Sequence, residues 1–498
     1  MRALMLGDHP RGLATLFFTE MGERFCYYGM RALLVLFMVA QAEHGGLGLD
    51  DKTATAVYGL YTGTVYLMAL PGGWIADRLL GQQRAVWIGG WLIALGNLIL
   101  AIPAPRELFF AGLAVIVAGV GLLKPNISAI VGQLYQQQSS ARRDAGFSIF
   151  YMGINLGAFI APLIAGTVGE QWSWRAGFAC CAGAMLIGLF CYRRMGGLGE
   201  AGAAAASSSP AQRRRDLSWL TGGLALIAVF GALLYAGTVQ VDALRLAQGL
   251  GVFIVLLATA FFAGILLFGG LTAPEKTSVA LIALFFVSAA LFWSGFEQAG
   301  STLNLFADRY TDRRLFGWEM PTSWLQSVNP LMIIVLAPVF AGLWVRLARN
   351  NLEPGIPVKF ALGLLQLGLG FAVMIFAARL IVSGGVGTQV LPTWLLLTYL
   401  LHTSGELCLS PIGLSAVTRL APPRFVGQMM GTWFMGAALG NLLGGLIAGY
   451  FGQEAVETMP ERYAMIAATS IGAGTLLLLL ARPIQRWMGV APASVRSG

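Results

Sequence analysis

The chain has 498 residues, of which 57% are hydrophobic and only 11% are charged, and its mean hydropathy is +0.72. A soluble protein of this length would carry charge on roughly a quarter of its residues. The composition therefore excludes a soluble enzyme, a nucleic-acid-binding protein and a disordered chain. The net charge of +9 does not require an anionic partner, because basic residues in a membrane protein follow its topology.

Apolar segments of about 20 residues or more recur along the chain, and this length is typical of helices that cross a bilayer. The strands of a membrane barrel would be shorter and would alternate in polarity. The sequence predicts an all-α, polytopic membrane protein with fourteen spans, at 12–41, 53–80, 84–103, 107–134, 142–168, 173–193, 217–237, 246–270, 278–307, 322–346, 357–382, 392–419, 424–452 and 461–487.

The basic residues between these segments predict the orientation. When the loops are assigned alternately to two sides, most Arg and Lys fall on the side that holds both termini, and cytoplasmic loops carry this excess. That side includes Arg78, Arg84, Arg193, Arg194, Arg213, Arg214, Arg215, Arg346 and Arg349. We therefore expect a multi-pass protein of the cell inner (plasma) membrane with both termini in the cytoplasm.

A change in composition divides the chain into two halves. Residues 196–216 are rich in Gly, Ala and Ser and end in three Arg, as a flexible linker would. The next two apolar runs contain no charge, which favours lipid-facing accessory helices. The predicted domains are an N-terminal six-helix bundle (1–195), the linker (196–216), two accessory helices (217–277) and a C-terminal six-helix bundle (278–498). Two bundles around a central cavity are typical of carriers.

Charged side chains inside the apolar segments indicate where function lies, because ionisable groups at bilayer depth are energetically expensive. In the first segment six polar residues share one helical face: Glu20, Glu23, Arg24, Tyr27, Tyr28 and Arg31. Three further charges are predicted to be buried, namely Lys124, Glu297 and Glu406. Three cations against four carboxylates would allow one carboxylate to be protonated without leaving an unbalanced charge. A proton-coupled carrier needs this balance.

Structural ion pairs between helices are the alternative interpretation of these charges. Such pairs are weak evidence for stability, because desolvation offsets most of the Coulomb gain. Among the four lysines of the chain, Lys124 is the one predicted to be buried, which favours a functional role.

The charged residues lie in motifs that resemble a known family. Residues 20–29 resemble the E-x-x-E-R-F-x-Y-Y-G motif of the proton-dependent oligopeptide transporter (POT) family, within the major facilitator superfamily. Residues 150–157 resemble the family's F-Y-x-x-I-N-x-G signature, although Ala158 and Phe159 replace its usual Ser-Leu ending. Similar segments occur at 73–84, 121–126, 292–298 and 405–411. The resemblance extends from residue 18 to residue 433 and implies the fold of bacterial members, which insert two helices between the six-helix halves.

The resemblance implies a symporter that imports di- and tripeptides with protons by alternating access. The substrate-binding residues that it implies are Arg31, Lys124, Tyr27, Tyr28, Tyr66, Asn155, Trp293, Asn329, Glu406 and Trp433. Arg31 and Lys124 are the candidates for the peptide carboxylate, and Glu406 is the candidate for the peptide amine. Ordinary packing is the alternative for the two tryptophans, and a helix–helix hydrogen bond is the alternative for the two asparagines.

Proton coupling is predicted to involve Glu20, Glu23, Arg24 and Glu297. If Glu297 pairs with Arg31 in the empty protein, an arriving peptide carboxylate competes for Arg31, and Glu297 then binds a proton more readily. Animal members of the family carry a proton-linked histidine on the second helix, where Gly59 stands here. We therefore expect carboxylates to handle the protons. For His402, one turn from Glu406, packing is preferred over titration.

We expect no cofactor other than the coupling proton, and we expect partners to be short peptides, protons and the lipid bilayer, with the protein acting as a monomer. The five cysteines lie in apolar stretches without metal-ligand spacing, so no metal site is predicted. A carrier of another small anion or zwitterion, such as nitrate, an amino-acid derivative or a peptide-like drug, remains the alternative. A membrane-embedded enzyme is disfavoured, because no nucleophile–base set is apparent.

Overall fold

The structure is a computed structural model that describes residues 9–103, 105–203, 209–238, 242–451 and 453–489. Within these residues the chain consists of helices, connecting loops and one short two-stranded sheet. Helices suit a bilayer because each segment satisfies its own backbone hydrogen bonds.

The first group of helices precedes residue 236. These helices are α1 (Gly12–Val39), α2 (Asp51–Ile75), α3 (Gln82–Ala101), α4 (Arg106–Leu134), α5 (Ser140–Ala161), α6 (Thr167–Gln171), α7 (Trp174–Met195) and α8 (Pro210–Tyr235). One π-helical turn, Ala76–Leu80, extends α2, and another, Pro162–Gly166, joins α5 to α6.

The second group of helices follows residue 242. These helices are α9 (Ala243–Phe268), α10 (Ala273–Phe296), α11 (Thr302–Tyr310), α12 (Val328–Arg349), α13 (Ile356–Gly384), α14 (Thr393–Leu420), α15 (Val426–Ala448), α16 (Met459–Leu479) and α17 (Ala481–Trp487). Between α11 and α12, β1 (Arg314–Leu315) pairs antiparallel with β2 (Trp318–Glu319).

Two sequence predictions need correction. The predicted segment 278–307 is not one helix, because a 3₁₀ turn at Glu297–Gly300 separates α10 from α11. The predicted linker 196–216 is also too long: α8 begins at Pro210, so its three Arg are helical. Ser209 caps this start by accepting a hydrogen bond from the Gln212 N–H at 3.3 Å. Linker residues 204–208 lie outside the described residues.

Eleven helical segments of the described chain are long and apolar enough to cross a membrane. Of the fourteen predicted spans, α1, α2 and α14 are not among the eleven. In α1 the cause is visible in its sequence, because four charged residues interrupt its apolar run. The most apolar stretches of α8 and α12 are each only 6% buried, so both helices expose apolar side chains. Low burial is therefore not special to the predicted accessory helices.

The chain forms two compact units. The first contains the residues up to Leu47 together with Thr64–Leu246, and the second contains Gly48–Gly63 together with the residues from Ala247 onward. Within the first unit, α1 packs against α5 and α7, and α3 packs against α4 and α7. Within the second unit, α13 packs against α14 and α16, and α10 packs against α15. The predicted limits of the two six-helix bundles remain a prediction.

Residues 48–63 pack into the second unit through a close approach of two glycines. A Cβ on Gly59 would lie 2.9 Å from the Cα of Gly445, and a Cβ on Gly445 would lie 2.5 Å from the Cα of Gly59. Helix backbones come this close only where small residues meet. Gly59 therefore has a packing role at the position where a histidine was considered.

Candidate functional site

The polar face of α1 is buried in the first unit. Glu20, Glu23, Arg24 and Arg31 are all less than a tenth exposed. Arg24 Nε lies 3.1 Å from Glu20 Oε1, and Arg24 also donates a hydrogen bond to the Glu23 carboxylate. One guanidinium is thus held between two carboxylates on its own helix.

Aromatic rings of α1 hold its two arginines. The Arg24 guanidinium carbon lies 5.4 Å from the centre of the Tyr27 ring, and that of Arg31 lies 5.7 Å from the centre of the Tyr28 ring. A ring face attracts a cation through its quadrupole. The two tyrosines therefore orient the cations of the motif as well as offering hydroxyl groups.

Lys124 is placed beside Tyr66 in the same unit. Its Nζ lies 4.0 Å from the centre of the Tyr66 ring, and it interacts electrostatically with Glu20. Pro125 follows within α4 and cannot donate the usual helical hydrogen bond, so the helix is weakened at this lysine. The structure thus brings Lys124, Tyr66 and the face of α1 together.

The prediction that Lys124 alone among the lysines is buried is wrong. Lys124 is half-buried, whereas Lys359 is only 7% exposed. The Lys359 ammonium lies 2.7 Å from Glu353 Oε1 and 4.7 Å from the Trp344 ring centre. A lysine near a helix start can bury its aliphatic stem while its charge is paired, and its place at the start of the predicted span 357–382 did not reveal this. Burial by itself therefore does not single out Lys124.

Asn155 is buried on α5. Its side-chain amide donates to the backbone carbonyl of Tyr151, one turn earlier, at 2.9 Å. This bond lies within the helix, so it is not the helix–helix hydrogen bond considered from the sequence. A role in substrate binding remains a prediction.

Asn329 and Glu406 meet in the second unit, where α12 packs against α14. The Asn329 amide donates to Glu406 Oε2 at 3.1 Å and to Thr403 Oγ1 at 2.9 Å. These bonds fix the direction of a half-buried carboxylate. Sequence reasoning missed Thr403, although its position three residues before Glu406 places it on the same helical face.

Glu297 begins the 3₁₀ turn that ends α10, and only 3% of it is exposed. The neighbouring Gln298 donates from Nε2 to the carbonyls of Ser294 at 3.2 Å and Gly444 at 3.1 Å. The amide of Gln298 thereby ties the broken helix to α15. Glu297 lies where a buried helix is interrupted. The apolar pattern alone did not predict this interruption.

Trp293 and Trp433 pack inside the second unit. The Trp293 ring lies edge-on to Phe296 at 5.3 Å between centres, and Trp433 lies edge-on to Phe360 at 6.2 Å. These contacts agree with the packing interpretation, and lining of a substrate pocket remains a prediction. His402 is also buried and packs on the Phe371 ring at 4.9 Å.

Among the described residues, no group of three or more His, Cys, Asp or Glu is arranged to hold a metal ion. The first unit buries Glu20, Glu23 and Arg24 together on a long helix, and the second unit buries Glu297 at a helix break. Ionisable groups buried within helices long enough to cross a membrane are typical of the solute and proton paths of membrane transporters.

The chain belongs to the POT family, whose model matches residues 83–196 and 271–465. It is 43% identical over 489 residues to the peptide transporter YePEPT of Yersinia enterocolitica subsp. palearctica serotype O:3, covering 96% of this chain and 95% of that protein. It is 35% identical to a di-/tripeptide transporter of Lactococcus lactis subsp. cremoris, covering 96% and 97% of the two chains. The crystal structure of a peptide transporter POT in complex with sulfate is 41% identical, with a TM-score of 0.90 and coverage of 97% and 96%.

Family membership confirms the resemblance seen in the motifs and identifies the protein as a multi-pass membrane transporter, not an enzyme.

Proposed function

We propose that this protein imports di- and tripeptides together with protons across the cell inner (plasma) membrane. The names of its relatives, a peptide transporter and a di-/tripeptide transporter, support this substrate class. We also propose that the chain crosses the membrane fourteen times, as two six-helix bundles and two accessory helices, with both termini in the cytoplasm. The protein works by alternating access, as a monomer.

The observations that carry the proposal are charged groups of opposite sign, each described within its own unit. The first unit offers the cations Arg31 and Lys124, each beside a tyrosine ring. The second unit offers the carboxylate Glu406, oriented by Asn329. A short peptide is a zwitterion, so groups of opposite sign suit its two ends.

We assign the peptide carboxylate to Arg31 and Lys124, with hydrogen bonds donated by Tyr27, Tyr28 and Tyr66. A tyrosine hydroxyl can donate to a carboxylate while its ring holds the neighbouring cation. Asn155, like Asn329, is assigned to the peptide amine as an uncharged partner.

We assign the peptide amine to Glu406. Asn329 already donates to one carboxylate oxygen and aligns the group, while its own carbonyl oxygen can accept from the substrate. Trp293 and Trp433 provide apolar surface for peptide side chains, where loose packing gives broad selectivity.

We assign proton coupling to two places. Glu20 and Glu23 share Arg24, so protonation of one carboxylate leaves the guanidinium paired with the other. Glu297 is the second place, because it sits at the break after α10 in a buried position. Binding of a substrate carboxylate to Arg31 would favour protonation of Glu297.

The test is competition for uptake of labelled dialanine by purified protein in liposomes. Unlabelled di- and tripeptides should compete, while N-acetyl-dialanine should compete roughly tenfold or more weakly, because it lacks the amine that Glu406 binds. In Glu406→Gln this preference for the free amine should disappear. Glu461→Gln, an exposed residue at the start of α16, is the matched control and should keep it. Competition by nitrate but not by peptides would overturn the proposal.

A further inference from the structure

A cavity of about 600 Å³ lies between α3, α7 and the chain segment that follows α7. The side chains of Arg84 and Arg193 line it together with Trp87 and Tyr192, and no acidic residue is among its described lining. This pocket, the Arg84–Arg193 pocket, belongs entirely to the first unit. Two cations without an acid create a local positive potential that attracts an anion.

The walls of the pocket are held in place by hydrogen bonds. The Gln83 amide donates to the carbonyls of Gly199 at 3.0 Å and Ala201 at 2.8 Å. The Tyr192 hydroxyl donates to the Gln83 carbonyl at 3.1 Å, and its ring stacks on Trp87 at 6.2 Å between centres. The cavity is therefore a fixed feature of the first unit and not a gap beside a loose linker.

The segment after α7 makes its turn with glycines. Gly197 has φ +82°, a conformation that side chains other than glycine rarely adopt. A Cβ on Gly197 would also lie 2.9 Å from Gly12 N. The segment thus closes one side of the pocket with backbone and leaves the arginines exposed.

An apolar track leads from the pocket along α3. Arg84 is followed on the same helical face by Ile88, Trp91 and Leu95, and all three apolar side chains are more than a third exposed. On α7, Ile187 and Phe190 are about two-thirds exposed near Arg193. A soluble anion would contact only the arginines of the pocket. A phospholipid could contact the arginines with its phosphate and the exposed apolar side chains of α3 and α7 with its acyl chains.

We propose that the Arg84–Arg193 pocket binds the phosphodiester headgroup of an anionic phospholipid, whose acyl chains lie along the exposed faces of α3 and α7. Basic pockets at the membrane surface between helices are suited to such headgroups. Trp87 and Tyr192 fit the same place, since aromatic side chains concentrate at the level of the headgroups. A net anionic headgroup is preferred over phosphatidylcholine, because the lining contributes two positive charges and no negative one.

Native mass spectrometry of the full chain in detergent tests the proposal, with titration of phosphatidylglycerol and phosphatidylcholine. The wild type should bind phosphatidylglycerol more tightly, and Arg84→Gln/Arg193→Gln should lose roughly thirtyfold in affinity for it while its affinity for phosphatidylcholine stays unchanged. The control Arg346→Gln/Arg349→Gln removes the same charge from exposed positions at the end of α12 and should bind as the wild type.

Two results would overturn the proposal. One is equal binding of phosphatidylglycerol by the wild type and the pocket variant. The other is displacement of the lipid by inorganic phosphate at the same concentration, which would make the pocket a site for a soluble anion. Dialanine uptake by the pocket variant reports on its folding, so a failure of this proposal is distinguishable from a failure of the peptide assignment.

Discussion

Arg309 and Asp51 form a two-pronged ion pair within the second unit. Arg309 Nη1 lies 2.7 Å from Asp51 Oδ2, and Nη2 lies 2.8 Å from Oδ1. Both side chains are about seven-eighths buried. Two parallel charge-assisted bonds fix direction as well as distance, so the pair anchors the start of α2 to the end of α11.

Removal of one partner of this pair should destabilise the protein. Asp51→Asn leaves a largely buried guanidinium without its carboxylate, at a cost on the order of 1–3 kcal/mol. We expect a melting temperature lower by a few degrees in a thermal unfolding assay.

The exchanged double variant Asp51→Arg/Arg309→Asp is the control for the ion pair. It restores opposite charges and should recover part of the lost stability. If the double variant loses as much stability as the two single variants together, the ion pair is not the anchor.

The contact between Gly59 and Gly445 predicts a second effect. Gly59→Ala places a methyl group against the backbone of α15, where neither helix can give way easily, and should cost roughly 1–3 kcal/mol. Gly472→Ala is the matched control, because a Cβ there meets nothing within 4 Å. It should be neutral or stabilising by up to about 1 kcal/mol, since alanine favours helix. Equal melting temperatures of the two variants would contradict the close approach.

Asp50 should make stability depend on pH. Burial raises the pKa of Asp50, and hydrogen bonds from the side chain and backbone of Thr53 lower it by more, so the pKa lies below its ordinary value of 3.8. A group with a depressed pKa in the folded state stabilises above its unfolded pKa and loses that contribution as the pH falls through the folded value.

Asp50→Asn tests this dependence, because asparagine also caps a helix but does not ionise. The melting temperature of the wild type should exceed that of Asp50→Asn at neutral pH, and the difference should shrink as the pH is lowered to about 3. A difference that persists unchanged to that pH would show that the Asp50 charge is not its source.

Tyr66 should contribute to peptide binding through its ring as well as through its hydroxyl group. Tyr66→Phe loses only the hydrogen bond to the peptide carboxylate, whereas Tyr66→Leu also loses the contact of Lys124 Nζ with the ring and should bind dipeptides roughly fivefold more weakly than Tyr66→Phe. The affinity is read from competition against labelled dialanine. Similar losses in both variants would assign the effect to the hydroxyl group.

The all-helical, membrane-spanning character of the chain was predictable from the sequence, because apolar segments of helix length recur along it. The face of α1 was predicted from spacing alone, and the structure buries its charged members. Ion pairs between residues that are distant in the sequence could not be predicted. Arg309 and Asp51 are 258 residues apart and lie just outside the predicted spans, and nothing local marks them as partners.

The same limit explains the other differences. The break at Glu297 depends on contacts of Gln298 with α15, which no local pattern reports. The burial of Lys359 depends on Glu353 and Trp344 around its stem and charge. In the sequence, Gly59 indicated only that a histidine is absent at this position. Its packing role follows from the close approach to Gly445, which the sequence does not predict.

Accumulation of labelled dialanine in liposomes under an imposed inward proton gradient tests the central claim most directly. The wild type should concentrate dialanine above its external level, and Glu297→Gln should exchange dialanine across the membrane without concentrating it. A wild type that only equilibrates dialanine, or a Glu297→Gln variant that still accumulates it, would contradict proton coupling through this carboxylate.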